Sequence, residues 1–96
     1  MNRKEALDIL SRFIKDNGSR YGILSLGLFG SAARDCLSGK SDVDVVIRLK
    51  NPNLLTLSKI RIELEEQFDR HVDVVSYRER MNPFLKERIN EEACYV

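Results

Sequence analysis

Cysteine, histidine and any surplus of charge of one sign are what this sequence has least of. Its two cysteines, Cys36 and Cys94, form no CxxC pair and have no zinc-ligand spacing. They read as reduced thiols rather than as a metal centre or a disulfide framework. Sixteen Lys and Arg against fifteen Asp and Glu leave a formal net charge of +1. A broad basic surface for nucleic acid is therefore not expected, and any phosphate-bearing ligand has to be held locally. No apolar run approaches the length of a membrane span. The N-terminal stretch carries Arg3, Lys4, Glu5 and Asp8 where a signal peptide needs an apolar centre. Repeats and low-complexity tracts are missing too. These absences lead to the expectation of a cytoplasmic chain, its 96 residues fitting one domain over 1–96.

What is present is a regular alternation of helix and strand patterns. Leu7, Leu10 and Ile14, widened by Ala6 and Phe13, predict an amphipathic helix over 3–16. Asn2 is its expected N-cap and Asn17-Gly18 its expected stop. Residues 23–29 read as a strand, with Leu24, Leu26 and Leu28 alternating with Ser25 and Gly27. A short helix over 32–37 and a loop over 37–41 lead to a second strand, 43–49. Asn51-Pro52 ends that strand, because proline cannot continue a paired one. Leu57, Ile60, Leu64 and Phe68 predict a helix over 54–69 whose charged residues, Lys59, Arg61, Glu63, Glu65 and Glu66, form a solvated face. A third strand, 72–76, follows. Asn82-Pro83 then opens a last helix, carrying Phe84, Leu85 and Ile89, to about Glu92. The apolar tail, 93–96, could add a short strand, dock on the body or meet a partner. The expected class is α/β (α+β): a small mixed sheet with its helices packed mainly on one face. The short link between the first two strands leaves their relative direction open.

The residues able to do chemistry cluster in this frame. Asp42 and Asp44 stand at i and i+2 at the start of a strand, so their side chains share a face, roughly 6.5 Å apart at Cα. Val43, Val45 and Ile47 fill the other face. Two neighbouring carboxylates repel unless water or a cation separates them, and hard oxygen donors on a fixed strand suit Mg²⁺. Asp73, inside Val72-Asp73-Val74-Val75, adds a third carboxylate from a different strand. Before them Gly30-Ser31 turns out of the first strand. Glycine allows close backbone approach, and a helix beginning there would favour an anion. Arg34, about one turn later, could reach a phosphate.

Gly30-Ser31, Asp42-Val43-Asp44-Val45 and Val72-Asp73-Val74 together resemble the signature of the nucleotidyltransferase superfamily related to DNA polymerase beta. The short chain with Gly-Ser-x-Ala-Arg and Ser-Asp-x-Asp is similar to its minimal nucleotidyltransferase (MNT) group. The resemblance spans essentially the whole chain and implies the nucleotidyltransferase fold. It implies that Gly30 and Ser31 hold the triphosphate of ATP and that Asp42 and Asp44 ligate two Mg²⁺ ions. Asp73 would complete the metal site and help activate the attacking hydroxyl. The implied reaction is in-line attack on the α-phosphorus, transferring AMP and releasing pyrophosphate. Many members have glycine after the arginine; this chain has Asp35, read as a surface residue. MNT proteins often pair with HEPN-domain toxins as antitoxins, some by placing AMP on a toxin tyrosine. Such a partner fits a length that leaves little room for a separate acceptor-binding domain.

Two other functions are compatible with the same residues: an antitoxin acting by association alone, and transfer to a small molecule. His71, two residues before Asp73, is read as an exposed loop residue, with tuning of the site as the alternative. Tyr21, Tyr77 and Tyr95 are assigned to packing or interfaces.

Overall fold

The computed structural model describes residues 1–31, 33 and 42–96. Apart from Ala33, the short helix predicted over 32–37 lies outside the described residues, as do the loop over 37–41 and Arg34, Asp35 and Cys36. Those described form helices α1 (Arg3–Tyr21), α2 (Leu54–Phe68) and α3 (Pro83–Glu92). Their strands are β1 (Ile23–Phe29), β2 (Val43–Leu49), β3 (Val72–Ser76) and β4 (Cys94–Tyr95). None of these helices is long and apolar enough to cross a membrane.

Local chemistry sets most boundaries. Asn2 caps α1 through a reciprocal box: the Glu5 amide donates to Asn2 Oδ1 at 2.8 Å, and the Asn2 amide donates to Glu5 Oε1 at 3.4 Å. The helix does not stop at Asn17-Gly18 as the sequence suggests. It runs on to Tyr21 and ends at Gly22 in the left-handed conformation. Tertiary contact outweighs the roughly 1 kcal/mol that a helical glycine costs: Tyr21, on the added turn, donates to Glu63 of α2 at 2.6 Å. Helix α2 closes at Phe68, one residue short of the expected end, with Asp69 left-handed. Helix α3 starts as predicted, the Phe84 and Leu85 amides donating to Asn82 Oδ1 at 2.9 and 3.2 Å.

The strands form one mixed sheet in the order β3-β2-β1-β4. β1 pairs antiparallel with β2 and with β4, and β2 pairs parallel with β3. The parallel pair is joined by α2, since such a pair needs a crossover. The tail becomes an edge strand, extended by the Val96 amide donating to Leu26 O at 2.9 Å. Gly27 admits it: a Cβ there would stand 2.7 Å from the Cys94 carbonyl oxygen.

A bulge between Ile23 and Ser25 corrects the reading of β1. The extra residue inverts the alternation, so Leu24 is 62% exposed and Ile23 turns to the core instead. Beyond the bulge Leu26 and Leu28 point inward, with Val43, Val45, Ile47 and Leu49 of β2. Ala6, Leu10 and Phe13 of α1 and Ile60, Leu64 and Phe68 of α2 cover them. On the opposite face Ile89 of α3 packs on Phe29 and Val46, while Phe84 at the start of α3 is 79% exposed. Two helices thus cover one face and the third crosses the other.

Candidate active site

Strand register assembles the carboxylates. Asp44 of β2 lies between Phe29 of β1 and Asp73 of β3 in the ladder. All three therefore sit in one row across the sheet, on the face opposite α1 and α2. Asp42 and His71 are each two residues earlier, immediately before the same two strands, and lie toward that face. The Val43 amide donates to the His71 carbonyl at 3.0 Å, which holds the strand starts together. One donor atom from each of Asp42, His71 and Asp73 lies within 4.8 Å of the others, and all three side chains are exposed.

Asp44 occupies a different position. Its carboxylate packs on Gly30, where β1 ends. A Cβ on residue 30 would stand 2.5 Å from Asp44 Oδ2, and Gly30 is left-handed with φ of 68°. Glycine is required here twice over, by the backbone conformation and by the approach of the acid. Ser31, half-buried, follows in the turn. The Arg3 guanidinium donates to the Ala33 carbonyl at 3.2 Å, tying the start of α1 to the segment after the turn. The structure thus brings Gly30, Ser31, Asp42, Asp44 and Asp73 to one end of the sheet; Arg34 lies outside the described residues.

His71 is exposed, as expected, but it is held at both nitrogens. Nδ1 is 2.9 Å from Glu65 Oε2 and Nε2 is 3.1 Å from Asp73 Oδ1. The hydrogen bond to Asp73 raises its pKa above the ordinary histidine value. The charges of Asp42 and Asp73 and the bond to Glu65 add to this, and desolvation opposes it. Glu65 is itself fixed. Its carboxyl accepts from the Val72 amide at 3.1 Å, the main cause of a pKa lowered from the usual range, with Arg61 and His71 adding to it against desolvation. The helical pattern assigns Glu65 to a solvated face; in the fold it reaches the site. The signal that could have placed it is its position in the last turn of α2, with only residues 69–71 before β3.

Tyr21 and Tyr77 pack on the core, as expected, while Tyr95 is 51% exposed on the edge strand. Tyr77 donates to Asn90 Oδ1 at 3.1 Å, with Arg48 and Lys86 each 5.8 Å from its ring centre. Tyr77, Asn90 and Arg48, with Ser25 and Tyr95, line a hollow of about 310 Å³ farther along the same sheet face.

Carboxylates from two adjacent strands, gathered beside a glycine turn at a strand end, are the kind of donor set that could hold a hard cation next to a phosphate. Oxygen donors gathered on one face are of the kind that Mg²⁺ takes. Comparison with known proteins gives the class a family. The profile of the nucleotidyltransferase domain matches residues 10–96, and this chain belongs to that family. A candidate protein adenylyltransferase of Methanocaldococcus jannaschii is 36% identical over 78 residues, covering 80% of this chain and 83% of that one. The structure of a candidate minimal nucleotidyltransferase superposes with a TM-score of 0.78 at 27% identity, over 98% of this chain and 95% of that chain. An MNT antitoxin solved with its tri-AMPylated HEPN toxin from Shewanella oneidensis gives a TM-score of 0.71. It covers 97% of this chain and 70% of that chain, and at 16% identity it is a likeness of fold.

Proposed function

We propose that this chain is a Mg²⁺-dependent adenylyltransferase that moves AMP from ATP to a tyrosine hydroxyl of a HEPN-type toxin and so acts as its antitoxin. The observation that carries this is the row across the sheet. Asp44 and Asp73 share a register position, Asp42 reaches Asp73 at the mouth, and Gly30 stands directly against Asp44. The protein acceptor is supported by the name of the M. jannaschii relative, and the toxin by the partner of the Shewanella antitoxin that shares the fold.

In this reading Asp42, Asp44 and Asp73 hold the metal ions, which supply charge neutralisation for the triphosphate when bound. Gly30 and Ser31 seat the phosphates, the missing Cβ letting them come close to the backbone. Asp73, on the edge strand and 52% exposed, is placed to take the proton of the incoming hydroxyl. The hydroxyl oxygen bonds to the α-phosphorus, the bond from that phosphorus to the bridging oxygen breaks, and pyrophosphate leaves. The chain's part is to position the groups and to neutralise charge where it develops.

The test uses α-labelled ATP, Mg²⁺ and the partner encoded beside this chain. Label is expected on the partner with the wild type, and its transfer rate falls more than about 10³-fold with Asp44→Asn, the scale of losing a key electrostatic group. Transfer that persists in Asp42→Asn and Asp44→Asn would remove the site assignment. Full neutralisation of the toxin by Asp44→Asn at equal expression would make association, not transfer, the activity.

A further inference from the structure

His71 is built like a metal ligand. Ligating histidines commonly donate their other ring N–H to a carboxylate, which fixes the tautomer and aims the free nitrogen. Here Nδ1 meets Glu65 Oε2 at 2.9 Å. Glu65 is no loose surface acid: the Val72 amide holds the same oxygen at 3.1 Å, and Arg61 lies 3.4 Å from its other oxygen. With Nδ1 tied to α2, Nε2 is turned toward the carboxylates and donates its N–H to Asp73 Oδ1 at 3.1 Å, a proton that a bound ion would displace. Donor atoms of Asp42, His71 and Asp73 already lie within 4.8 Å of one another. Ligands on one ion, each about 2.1 Å from it, stand at most about 4.2 Å apart. Rotation of two exposed carboxylates closes that gap.

We propose that His71 Nε2 is a third protein ligand to the metal position shared by Asp42 and Asp73, and that this position takes Mn²⁺ or Co²⁺ in preference to Mg²⁺. The inference rests on the reading of Asp42 and Asp73 as metal ligands and goes beyond it in donor type. Mg²⁺ keeps to oxygen and gives up water reluctantly. Mn²⁺ shares the liking of Mg²⁺ for carboxylate oxygen, and Co²⁺ stands higher in the first-row order of affinity for sites with nitrogen donors, so an oxygen-oxygen-nitrogen set suits these ions better than Mg²⁺. Glu65 then acts as a positioning residue, setting the ring through Nδ1 without touching the ion.

Because His71 is the chain's single histidine, the test can be made atom-specific. Tag-free protein labelled with [¹⁵N]histidine is loaded with less than one equivalent of Mn²⁺ and examined by pulsed electron paramagnetic resonance. A ¹⁵N coupling to Mn²⁺ is expected in the otherwise unaltered protein and is lost in His71→Gln. By calorimetry, His71→Gln weakens Mn²⁺ by about tenfold or more and Mg²⁺ by less than about twofold. Glu65→Gln keeps the coupling while weakening Mn²⁺ by roughly tenfold. Should Mn²⁺ bind in a manner abolished by Asp73→Asn yet show no ¹⁵N coupling, the histidine ligand is overturned and the carboxylate site stands. Should neither Mn²⁺ nor Mg²⁺ bind the wild type, with or without α,β-methylene-ATP, both readings fall.

Discussion

The two faces of the central strand obey opposite rules, one residue apart. Val43, Val45 and Ile47 point to α1 and α2 and are wholly buried. Asp44 and Arg48, alternating with them, point to the other side, where α3 reaches Val46 and leaves both ends of the strand open. Apart from Val46, buried under α3, the seven residues thus keep the apolar core and the polar side chains on separate faces. A strand keeps the two apart because its period is two, and a slip of one residue would exchange the faces. Stability is therefore expected to depend on one face and turnover on the other.

The largest effect that separates them is the Asp44→Asn loss of transfer, over about 4 kcal/mol of transition-state free energy for the 10³-fold fall stated above. If the faces are independent, thermal melting should show stability changed by less than about 1 kcal/mol. A variant that lost activity by unfolding would contradict the division. The complementary change is Leu64→Ala, on α2 and wholly buried against the apolar face. It removes a core side chain and should cost about 3 kcal/mol, lowering Tm by roughly 10–20 °C. Transfer per folded molecule at a temperature well below both midpoints should change less than about threefold. Inactivity of the folded variant would mean that the core face positions the site more tightly than the division allows.

Gly30→Ala tests the point where the faces meet, because this residue ends a core strand and touches the acid. Left-handed backbone costs an alanine about 1–2 kcal/mol, and the new Cβ has to displace Asp44 Oδ2. Stability and transfer should fall together, with transfer down by at least about tenfold. A stability loss with transfer intact would show that the contact with Asp44 has no part in the reaction.

The period-two pattern of β2 makes this division legible in the residues themselves. Alternation alone sorts Val43, Val45 and Ile47 from Asp42 and Asp44, and Asn82-Pro83 marks a helix start by local chemistry. The readings that fail depend on distant contacts. Nothing near Gly18 announces that Tyr21 will find Glu63, 42 residues away, and carry α1 three residues beyond its local stop. Nothing in Ile23-Leu24 announces the bulge that exposes Leu24. The direction of β1 against β2, and hence the row of Phe29, Asp44 and Asp73, stays open in the sequence because the short connection permits either. His71 illustrates the same limit at the site: its exposure is legible, but its two partners come from α2 and β3, and only folding brings both to one ring.

The smallest effect is a pH dependence at the link between the faces. Glu65 belongs to α2, yet it holds the amide of Val72 and the ring of His71. The Val72 amide chiefly holds its carboxyl below the ordinary value of 4.5. A group whose folded pKa is depressed contributes stability that is fully present above its unfolded pKa and disappears as pH falls through the folded value. Glu65→Gln keeps an acceptor for the Val72 amide and removes the charge. Wild type should therefore exceed the variant in urea midpoint by a margin that grows as pH falls from 7 through 6.5, where His71 gains its proton beside Glu65, and then holds to about 5. Below about pH 4.5 the margin should shrink. A margin that widened below about pH 4.5 would mean that the charged form of Glu65 is the less stable one in the fold. Glu65 would then be a strained acid rather than an anchor joining the structural face to the chemical one.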